Sequence, residues 1–375
     1  MTAPRFLQIH TLHSYTAALL NRDDTGQAKA LVYGGARRTR ISSQCLKRHW
    51  RMAEKDPHAL QTLAGYVDST RSRELVTERV IAPLRGRFAE DVVAALEPAF
   101  QKLVYGDKAD KGKKSRQTLL LGEPELAWLA KRAEEIAATS TDGKAAEKAA
   151  ADWAKDKNFK AMSEGVSLPG GLAAALFGRM VTSDPAANID APVYVAHAFT
   201  VHAAETEGDY FTAVDDLKKN EDDSGADTIQ ETELTCGLFY GYVVVDLPGL
   251  IANCGGDKAL AGQVVHHLVH LIAEVSPGAK LGSTAPFGRA DLMLIEAGDR
   301  QPRSLAAAYR DPIRNDDRKA VATLGEKLAA FDAAYATGEA RSQMAVDSEI
   351  AGVDRMTLAA LAEWSASQVK DAPDA

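Results

Sequence analysis

The order of strand-like and helix-like segments is the feature that most limits how this 375-residue chain can fold. Side chains of a strand point to opposite faces in turn, so alternation of apolar and polar residues predicts strands over 6–12, 193–202, 237–247 and 290–296. Apolar residues spaced three and four apart predict amphipathic helices over 43–55 and 258–275. The predicted order is therefore strand, helix, strand, strand, helix, strand.

This β-α-β-β-α-β order is the ferredoxin-like arrangement that RNA-recognition modules use. Two long segments fall outside it. Residues 57–165 show helical spacing in segments near 69–82, 87–104, 123–139 and 144–161, which predicts a helical insertion without strands. The alanine-rich tail from Ser304 onward is also predicted to be helical. The predicted class is α+β.

One segment differs from the rest of the chain in charge. The whole chain has 44 basic and 52 acidic residues, a net charge of −8. Residues 29–55 contain eight Lys or Arg and one acidic residue, Glu54, so this segment carries +7 and the remainder −15. Charge runs are often only a solvated helix face. Here the one-sided charge within an acidic protein favours a local binding surface.

The basic segment is also patterned as a helix. Ser42 or Ser43 is predicted to cap it, because a hydroxyl there accepts a hydrogen bond from the first turn. Leu46 and Trp50 follow at helical spacing and predict a buried face, while Lys47, Arg51 and Lys55 recur four residues apart on another face. Gly34-Gly35 with Arg37, Arg38 and Arg40 are interpreted as a flexible basic lead-in. Backbone N–H groups at a helix start and nearby Arg or Lys side chains predict a phosphate site.

Composition limits the location of the protein. The N-terminus lacks a basic stretch followed by an apolar run and a cleavage site, and no segment reaches the roughly 18 apolar residues of a membrane span. Cys45, Cys236 and Cys254 are scattered and form no C-x-x-C pair. These features predict a cytoplasmic protein without a disulfide framework or a cysteine zinc site.

Motifs for cofactor binding and catalysis are weak. The chain lacks the glycine motifs that bind nucleotide phosphates, so no cofactor is predicted. His266 and His270 lie four apart on a predicted helix, but a third metal ligand is not evident, and no metal site is predicted. Asp23 and Asp24 could hold a divalent metal for phosphodiester cleavage. Their position in a polar turn favours hydrogen bonding to their own backbone instead.

Two aromatic residues stand in an otherwise polar connection. Residues 205–233 contain eleven acidic and two basic residues, yet Tyr210 and Phe211 lie in the middle. One interpretation is that these rings pack back onto their own sheet. The other is that they wedge against a nucleic-acid base or a neighbouring subunit. The surrounding acidity repels phosphate, so a role against a base or a protein partner is easier to reconcile with it.

The residues of the basic segment resemble a known family, the backbone subunit of the type I-E CRISPR Cascade complex (the CasC family). The resemblance rests on residues 21–24, Gly34-Gly35, Arg37-Arg38, 40–44, 46–48 and Arg51. It continues, in the same order, in residues 178–180, 196–198, 211–217 and 277–280. These matches lie within residues 6–297.

The resemblance implies a hand-shaped, non-catalytic protein. It implies a modified RNA-recognition palm over 1–56, 166–203 and 234–375, helical fingers over 57–165 and a β-hairpin thumb over 204–233. Several copies would stack along one CRISPR RNA (crRNA) and bind other Cascade subunits. Each thumb would displace one base at a regular interval, so the guide between thumbs can pair with target DNA in antiviral defence.

The resemblance also implies roles for single residues. The implied palm contacts to the guide phosphates are Arg22, Lys29, Arg40, Ser42, Gln44, Lys47, Arg48 and Arg51. The implied clamp around the displaced base is Met180 with Tyr210, Phe211, Thr212 and Val214. Two alternatives stay open at this point. One is a metal-dependent ribonuclease that uses Asp23 and Asp24, and the other is a generic RNA-binding monomer.

Overall fold

The computed structural model describes residues 3–106, 109, 116–156, 168–181, 185–213 and 228–374. The chain divides into two compact units. The first unit comprises Met1–Ala59, Tyr194–Val245 and Gly262–Pro373, and the second comprises Leu60–Val193, Asp246–Ala261 and Asp374–Ala375.

Strands and helices alternate irregularly along the chain. The strands are β1 (Phe6–Ala18), β2 (Ala30–Tyr33), β3 (Ala36–Ile41), β4 (Ser69–Ser72), β5 (Leu119–Gly122), β6 (Val193–Val195), β7 (Ala198–Thr200), β8 (Glu205–Ala213), β9 (Thr228–Asp246), β10 (Ala290–Gly298), β11 (Ala340–Ala345) and β12 (Asp354–Arg355). The α-helices are α1 (Ser43–Arg51), α2 (Glu90–Tyr105), α3 (Glu123–Thr139), α4 (Gly143–Asp156), α5 (Gly171–Phe177), α6 (Leu247–Asn253), α7 (Lys258–Glu274), α8 (Leu281–Thr284), α9 (Asp317–Tyr335) and α10 (Leu358–Asp371). Short 3₁₀ and π turns connect several of them.

One large sheet dominates the first unit. Its strand order is β12-β11-β10-β1-β9-β7-β3-β2, and β6 and β8 also pair with β9. Antiparallel pairs join β1 to β10, β10 to β11, β3 to β7 and β7 to β9. The second unit holds a separate antiparallel pair, β4 with β5. The protein is therefore a mixed α+β fold with an antiparallel-rich sheet, which agrees with the predicted class.

The six elements predicted for the core occur in the predicted order, with shifted boundaries. The helix expected to reach residue 55 ends at Arg51, because Met52 caps it with bonds to the carbonyls of Arg48 and His49. The strand expected over 193–202 is divided into β6 and β7. The strand expected over 237–247 is the second half of the much longer β9.

Two predictions of continuous helix are wrong. The insertion contains β4 and β5, and the tail contains β11 and β12. β5 is a four-residue strand in which every residue is buried, so it shows no alternation of polar and apolar side chains. β11 forms by antiparallel pairing with β10, in which Leu292 lies opposite Ala345. Neither cue is visible in the local sequence.

The basic lead-in to α1 was predicted to be flexible, but it forms a tight hairpin. β2 and β3 pair from Ala30 opposite Thr39 to Tyr33 opposite Ala36. The turn is Gly34-Gly35, with φ of 60° and 75°, and two positive φ angles suit the two-residue turn that matches strand twist. At Gly34 a Cβ would lie only 1.5 Å from the carbonyl oxygen of Arg310, so no other residue fits.

α1 packs against one part of the first-unit sheet. Its Cys45 and Leu46 contact a buried cluster that includes Tyr15, Ile41 and Phe239. A larger buried cluster, which includes Tyr240 and Leu324, joins the sheet to α9. None of the helices in the described ranges combines the length and apolar composition that a membrane span requires.

Candidate nucleic-acid interface

α1 begins and packs as its sequence predicts. The Ser42 hydroxyl accepts a hydrogen bond from the Cys45 N–H (3.3 Å), which makes Ser42 the N-cap. Trp50 is buried, and Arg48, His49 and Arg51 occupy the last turn, where positive charge offsets the negative end of the helix dipole. Ser42 was predicted to contact a phosphate. Its side chain is buried and caps the start of the helix.

The other predicted contacts of α1 lie towards solvent. Gln44 and Arg48 are exposed, and Lys47 and Arg51 are partly exposed. Lys55 was predicted to share a helical face with Lys47 and Arg51, but it lies beyond the end of the helix. The helix therefore presents three cations on a rigid element whose opposite side is held in the core.

A turn formed by residues 21–29 lies beside the start of α1. The Asn21 side-chain oxygen accepts a hydrogen bond from the Ser42 N–H (2.9 Å). The Lys29 N–H donates to the Asn21 carbonyl (2.9 Å), and the Arg40 N–H donates to the Lys29 carbonyl (2.8 Å). This backbone network places Lys29 and Arg40 next to the helix start. Arg22 belongs to the same turn, pairs with Ala28 and is exposed.

Arg40 is held by two acceptors. It donates to the Ala30 carbonyl (3.3 Å) and to the Nδ1 of His197 (3.1 Å). Partial removal from water lowers the pKa of His197, and the positive charges of Arg40, Lys29 and Lys47 lower it further. Three cations therefore lie around His197: Lys29 from the turn, Arg40 from β3 and Lys47 from α1. His197 was part of the family resemblance, but no sequence pattern indicated that it lies among these cations.

Arg38 does not belong to this surface, contrary to its predicted place in the basic lead-in. Its side chain is fully buried. The guanidinium donates to the carbonyls of Thr200 (2.9 Å), His202 (3.4 Å), Tyr309 (3.0 Å) and Arg310 (3.2 Å). Its place on β3 explains the difference, because side chains alternate between the two faces of a strand. Arg38 is a structural residue that joins three chain segments.

The arm of the first unit is a long antiparallel pair of strands. β8 and β9 pair from Glu205 opposite Cys236 to Ala213 opposite Thr228. Tyr210 lies opposite Glu231 and is 62% exposed, so its ring does not pack back onto the sheet. Phe211 and Thr212 continue β8, and Val214 lies outside the described residues. The Ala28 N–H donates to Glu233 (2.7 Å), which connects the arm to the turn of residues 21–29.

Met180 lies in the second unit and is 65% exposed. The preceding residue, Arg179, is buried and bonds both carboxylate oxygens of Glu125 (2.7 and 2.6 Å). Arg179 also donates to the Ala187 carbonyl (2.9 Å), and its backbone pairs with Ile189. A buried ion pair therefore fixes the backbone that presents Met180. The grouping of Met180 with Tyr210 remains a prediction.

Asp23 is used by its own turn, as its polar context indicates. Its Oδ1 accepts hydrogen bonds from the Thr25 N–H (2.9 Å), the Thr25 hydroxyl (2.8 Å) and the Gln27 N–H (3.0 Å). The Thr25 hydroxyl bond is the main cause that lowers the pKa of the Asp23 carboxyl. Asp24 is exposed.

A group of metal-capable side chains lies elsewhere in the first unit. His266 and His270 are accompanied by His58, so a third ligand exists that the sequence did not reveal. Among the described residues, these three are the group of His, Cys, Asp or Glu side chains whose possible ligand atoms lie within 4.8 Å of one another.

Comparison with known proteins agrees with this architecture. The chain matches the family described as CT1975-like protein over residues 7–371. No curated protein matches it. A solved chain of a "CRISPR RNA-guided surveillance complex, pre-nicking" is similar, with a TM-score of 0.79 and 27% identity, over 97% of this chain and 100% of that one. A chain of a "CRISPR RNA-guided surveillance complex" shares the fold, with a TM-score of 0.60 and 22% identity, over 96% of this chain and 98% of that one.

The fold is therefore that of chains found in CRISPR RNA-guided surveillance complexes. The chain belongs to the CT1975-like protein family. The resemblance to the Cascade backbone subunit is confirmed.

Proposed function

We propose that this chain is a non-catalytic backbone subunit of a cytoplasmic CRISPR Cascade surveillance complex. Several copies bind along one crRNA, hold its phosphates and displace single bases at regular intervals. The exposed guide between those bases pairs with target DNA in antiviral defence. Neighbouring backbone subunits and other Cascade subunits are its protein partners.

The group of cations around His197 is the observation that supports guide binding best. Lys29, Arg40 and Lys47 come from three separate elements, yet all act on the same imidazole. Arg48 and Arg51 extend this charge along α1. Phosphate contacts position a nucleic acid without reading its bases, which suits a subunit that must accept guides of any sequence.

The topology supports an RNA-recognition palm. Among the core strands, β1 and β9 are neighbours, β10 lies outside β1, and β7 lies outside β9. The first and third strands thus occupy the centre, as in a ferredoxin-like split β-α-β unit. In this proposal the fingers are residues 57–165 and the thumb is residues 204–233.

The exposed aromatic ring of the arm supports base displacement. Tyr210 stands in a strand whose surroundings are acidic, so attraction of phosphate does not explain its exposure. An aromatic face stacks on any base and is tolerant of sequence. With 2-aminopurine placed at successive guide positions, Tyr210→Ala is expected to abolish the periodic difference in fluorescence between displaced positions and their neighbours, while Tyr210→Phe preserves it.

A mass measurement tests the proposed assembly. Protein is mixed with guides of increasing length, and the complexes are weighed by native mass spectrometry. The proposal predicts that copy number rises in steps, with one further copy for each fixed increment of guide. One copy on guides of every length would support the alternative of an RNA-binding monomer.

The enzyme alternative uses the same turn. Asp23 and Asp24 would have to hold a divalent metal near bound RNA, yet three donors already occupy one Asp23 oxygen. The assembled protein is incubated with guide-paired RNA and Mg²⁺ or Mn²⁺. We expect intact RNA. Metal-dependent cuts that disappear in Asp23→Ala or Asp24→Ala would establish the ribonuclease.

A further inference from the structure

Three imidazole rings come together in the first unit. His58 lies in the loop that follows α1, and His266 and His270 lie one turn apart on α7. One ring nitrogen of each lies within 4.8 Å of those of the other two. The His58 and His270 rings are stacked, with centroids 3.6 Å apart and an interplanar angle of 6°. The His266 and His270 centroids are 5.1 Å apart.

Carboxylates lie beside two of these rings. His270 Nδ1 is 3.1 Å from Glu274 Oε2, and His58 Nδ1 is 3.8 Å from Asp56 Oδ1. Donation of the Nδ1 proton of His270 to Glu274 leaves its Nε2 lone pair for another partner. This carboxylate–histidine arrangement orients imidazoles and raises their basicity in metal sites.

Burial and neighbouring imidazoles lower the pKa of two of the three rings, His266 and His270. Burial lowers the pKa of His266, and the neighbouring imidazoles of His270, His267 and His58 lower it further. Burial is also the main cause that lowers the pKa of His270, against the raising effect of Glu274. Neutral imidazole is the form that binds a metal, and a lowered pKa favours that form at His266 and His270.

We propose that His58, His266 and His270 bind one divalent transition-metal ion, with Zn²⁺ as the best match and a water molecule in the fourth position. Three histidines and one open position form a common zinc set. Zn–N bonds of about 2.0–2.1 Å bring tetrahedral ligand nitrogens to roughly 3.4 Å apart. The nearly parallel His58 and His270 rings must turn out of their stack on binding, because a metal–nitrogen bond lies in the plane of each ring. The His58 side chain, 29% exposed, lies where the ion can enter.

The ion would tie the loop after α1 to α7. One direct bond already does this, because His267 Nδ1 donates to the His58 carbonyl (3.0 Å). A metal bound only by the folded protein adds its binding free energy to stability. Metal binding by these histidines does not require the guide, so it can be measured separately from the proposed function.

A metal titration tests the site. Full-length protein without a histidine tag is treated with a chelator and titrated with Zn²⁺ by calorimetry and with Co²⁺ by absorption. We expect saturation at one ion per chain, the visible bands of four-coordinate Co²⁺, and a higher Tm with Zn²⁺. Failure to reach a saturable stoichiometry of one would overturn the proposal.

Variants locate the ion. His58→Gln and His266→Gln each remove one nitrogen at a partly exposed position, and each is expected to weaken Co²⁺ binding at least about tenfold. Gln263→Ala changes an exposed residue of the same helix and is expected to bind as the wild type does. Circular dichroism verifies that each variant is folded. Equal affinity in all four folded proteins would place the ion elsewhere and contradict the proposal.

Discussion

Arg40 donates a hydrogen bond from its guanidinium group to the Nδ1 of His197 across 3.1 Å. Arginine can only donate, so His197 accepts at Nδ1 and carries its proton on Nε2. Partial burial lowers the pKa of this imidazole, and the surrounding cations lower it further, because a second proton would add like charge to Arg40, Lys29 and Lys47. The pKa of His197 therefore depends on whether an anion is bound to these three cations.

The first prediction concerns the pKa of His197. In the free protein it lies below 6.5, and guide phosphates are expected to raise it because they offset the three cations. A group with a higher pKa in the complex takes up a proton on binding. Guide affinity is thus expected to increase as pH falls through the pKa of the bound state, and to level off below that of the free state.

NMR titration of the imidazole nitrogens measures this pKa with and without guide. Affinity measured from about pH 8 to about pH 5.5 measures the linkage. His197→Gln cannot titrate, and it is expected to lose this component of the pH dependence while it retains guide binding. A pKa that does not change when the guide binds would remove His197 from the interface.

The second prediction separates two adjacent arginines. Arg38→Ala deprives four carbonyls of their donor, and an unsatisfied buried polar group costs about 1–3 kcal/mol. The free energy of unfolding is expected to fall by about 3 kcal/mol or more, measured by urea unfolding. Arg38→Lys is expected to restore little, because an ammonium group lacks the planar fork that reaches several acceptors.

Arg37→Ala is the matched control. Arg37 is exposed on the same strand, and surface substitutions usually change stability by no more than about 0.5 kcal/mol. Equal stability of the Arg37 and Arg38 variants would show that the buried hydrogen bonds of Arg38 contribute nothing.

The third prediction concerns a buried carboxylate in the sheet. Glu296 is inaccessible to solvent and accepts hydrogen bonds from His10 (3.1 Å), Arg303 (2.7 Å) and Arg341 (2.6 Å). Burial opposes its ionisation, but the bonds from His10 and Arg303 outweigh burial and hold its pKa well below the usual value. Glu296→Gln is expected to cost about 2–3 kcal/mol at neutral pH, because it removes the charge that both arginines share, while Glu339 still pairs with each of them.

The same groups set the acid sensitivity of the fold. Burial is the main cause that lowers the pKa of His10, so its contribution is present above about 6.5 and is lost as pH falls towards the folded-state value. The pKa of Glu296 is also depressed, so its contribution is present above about 4.5 and is lost at lower pH. Stability is therefore expected to fall on acidification, first through His10 and then through Glu296.

Urea unfolding at a series of pH values measures this profile. Glu296→Gln is expected to flatten the acidic part of the curve, whereas Glu326→Gln, exposed on α9, leaves it unchanged. Parallel curves for the wild type and Glu296→Gln would contradict the assignment.

Local signals explain what the sequence could predict. The hydroxyl of Ser42 and the spacing to Trp50 both lie within one helix, so α1 and its exposed cations follow from short-range rules. The fold class followed from the order of several such elements. The short strands β4 and β5 could not be predicted, because four residues are too few to show a period.

Long-range contacts explain what the sequence could not predict. Arg38 is buried by carbonyls 162 and 271 positions away, at Thr200 and Tyr309. The third histidine of the α7 group comes from His58, which no spacing within the helix indicates. A long-range contact of this kind leaves no periodic trace in the sequence.

The salt dependence of guide binding measures how many guide phosphates the basic face of α1 contacts. Each phosphate contact in a single strand contributes about 0.7 to the slope of log K against log salt. The triple variant Lys47→Ala, Arg48→Ala and Arg51→Ala is expected to lower the slope by about 2, and to weaken binding of guides of unrelated sequence alike. Its control is Arg314→Ala, Arg318→Ala and Lys319→Ala, an equal charge change at exposed positions of the first unit.

We expect the control to retain the wild-type slope while the α1 variant loses about 2 units. An α1 variant whose affinity and slope equal those of the control would show that the basic face of this helix does not hold the guide.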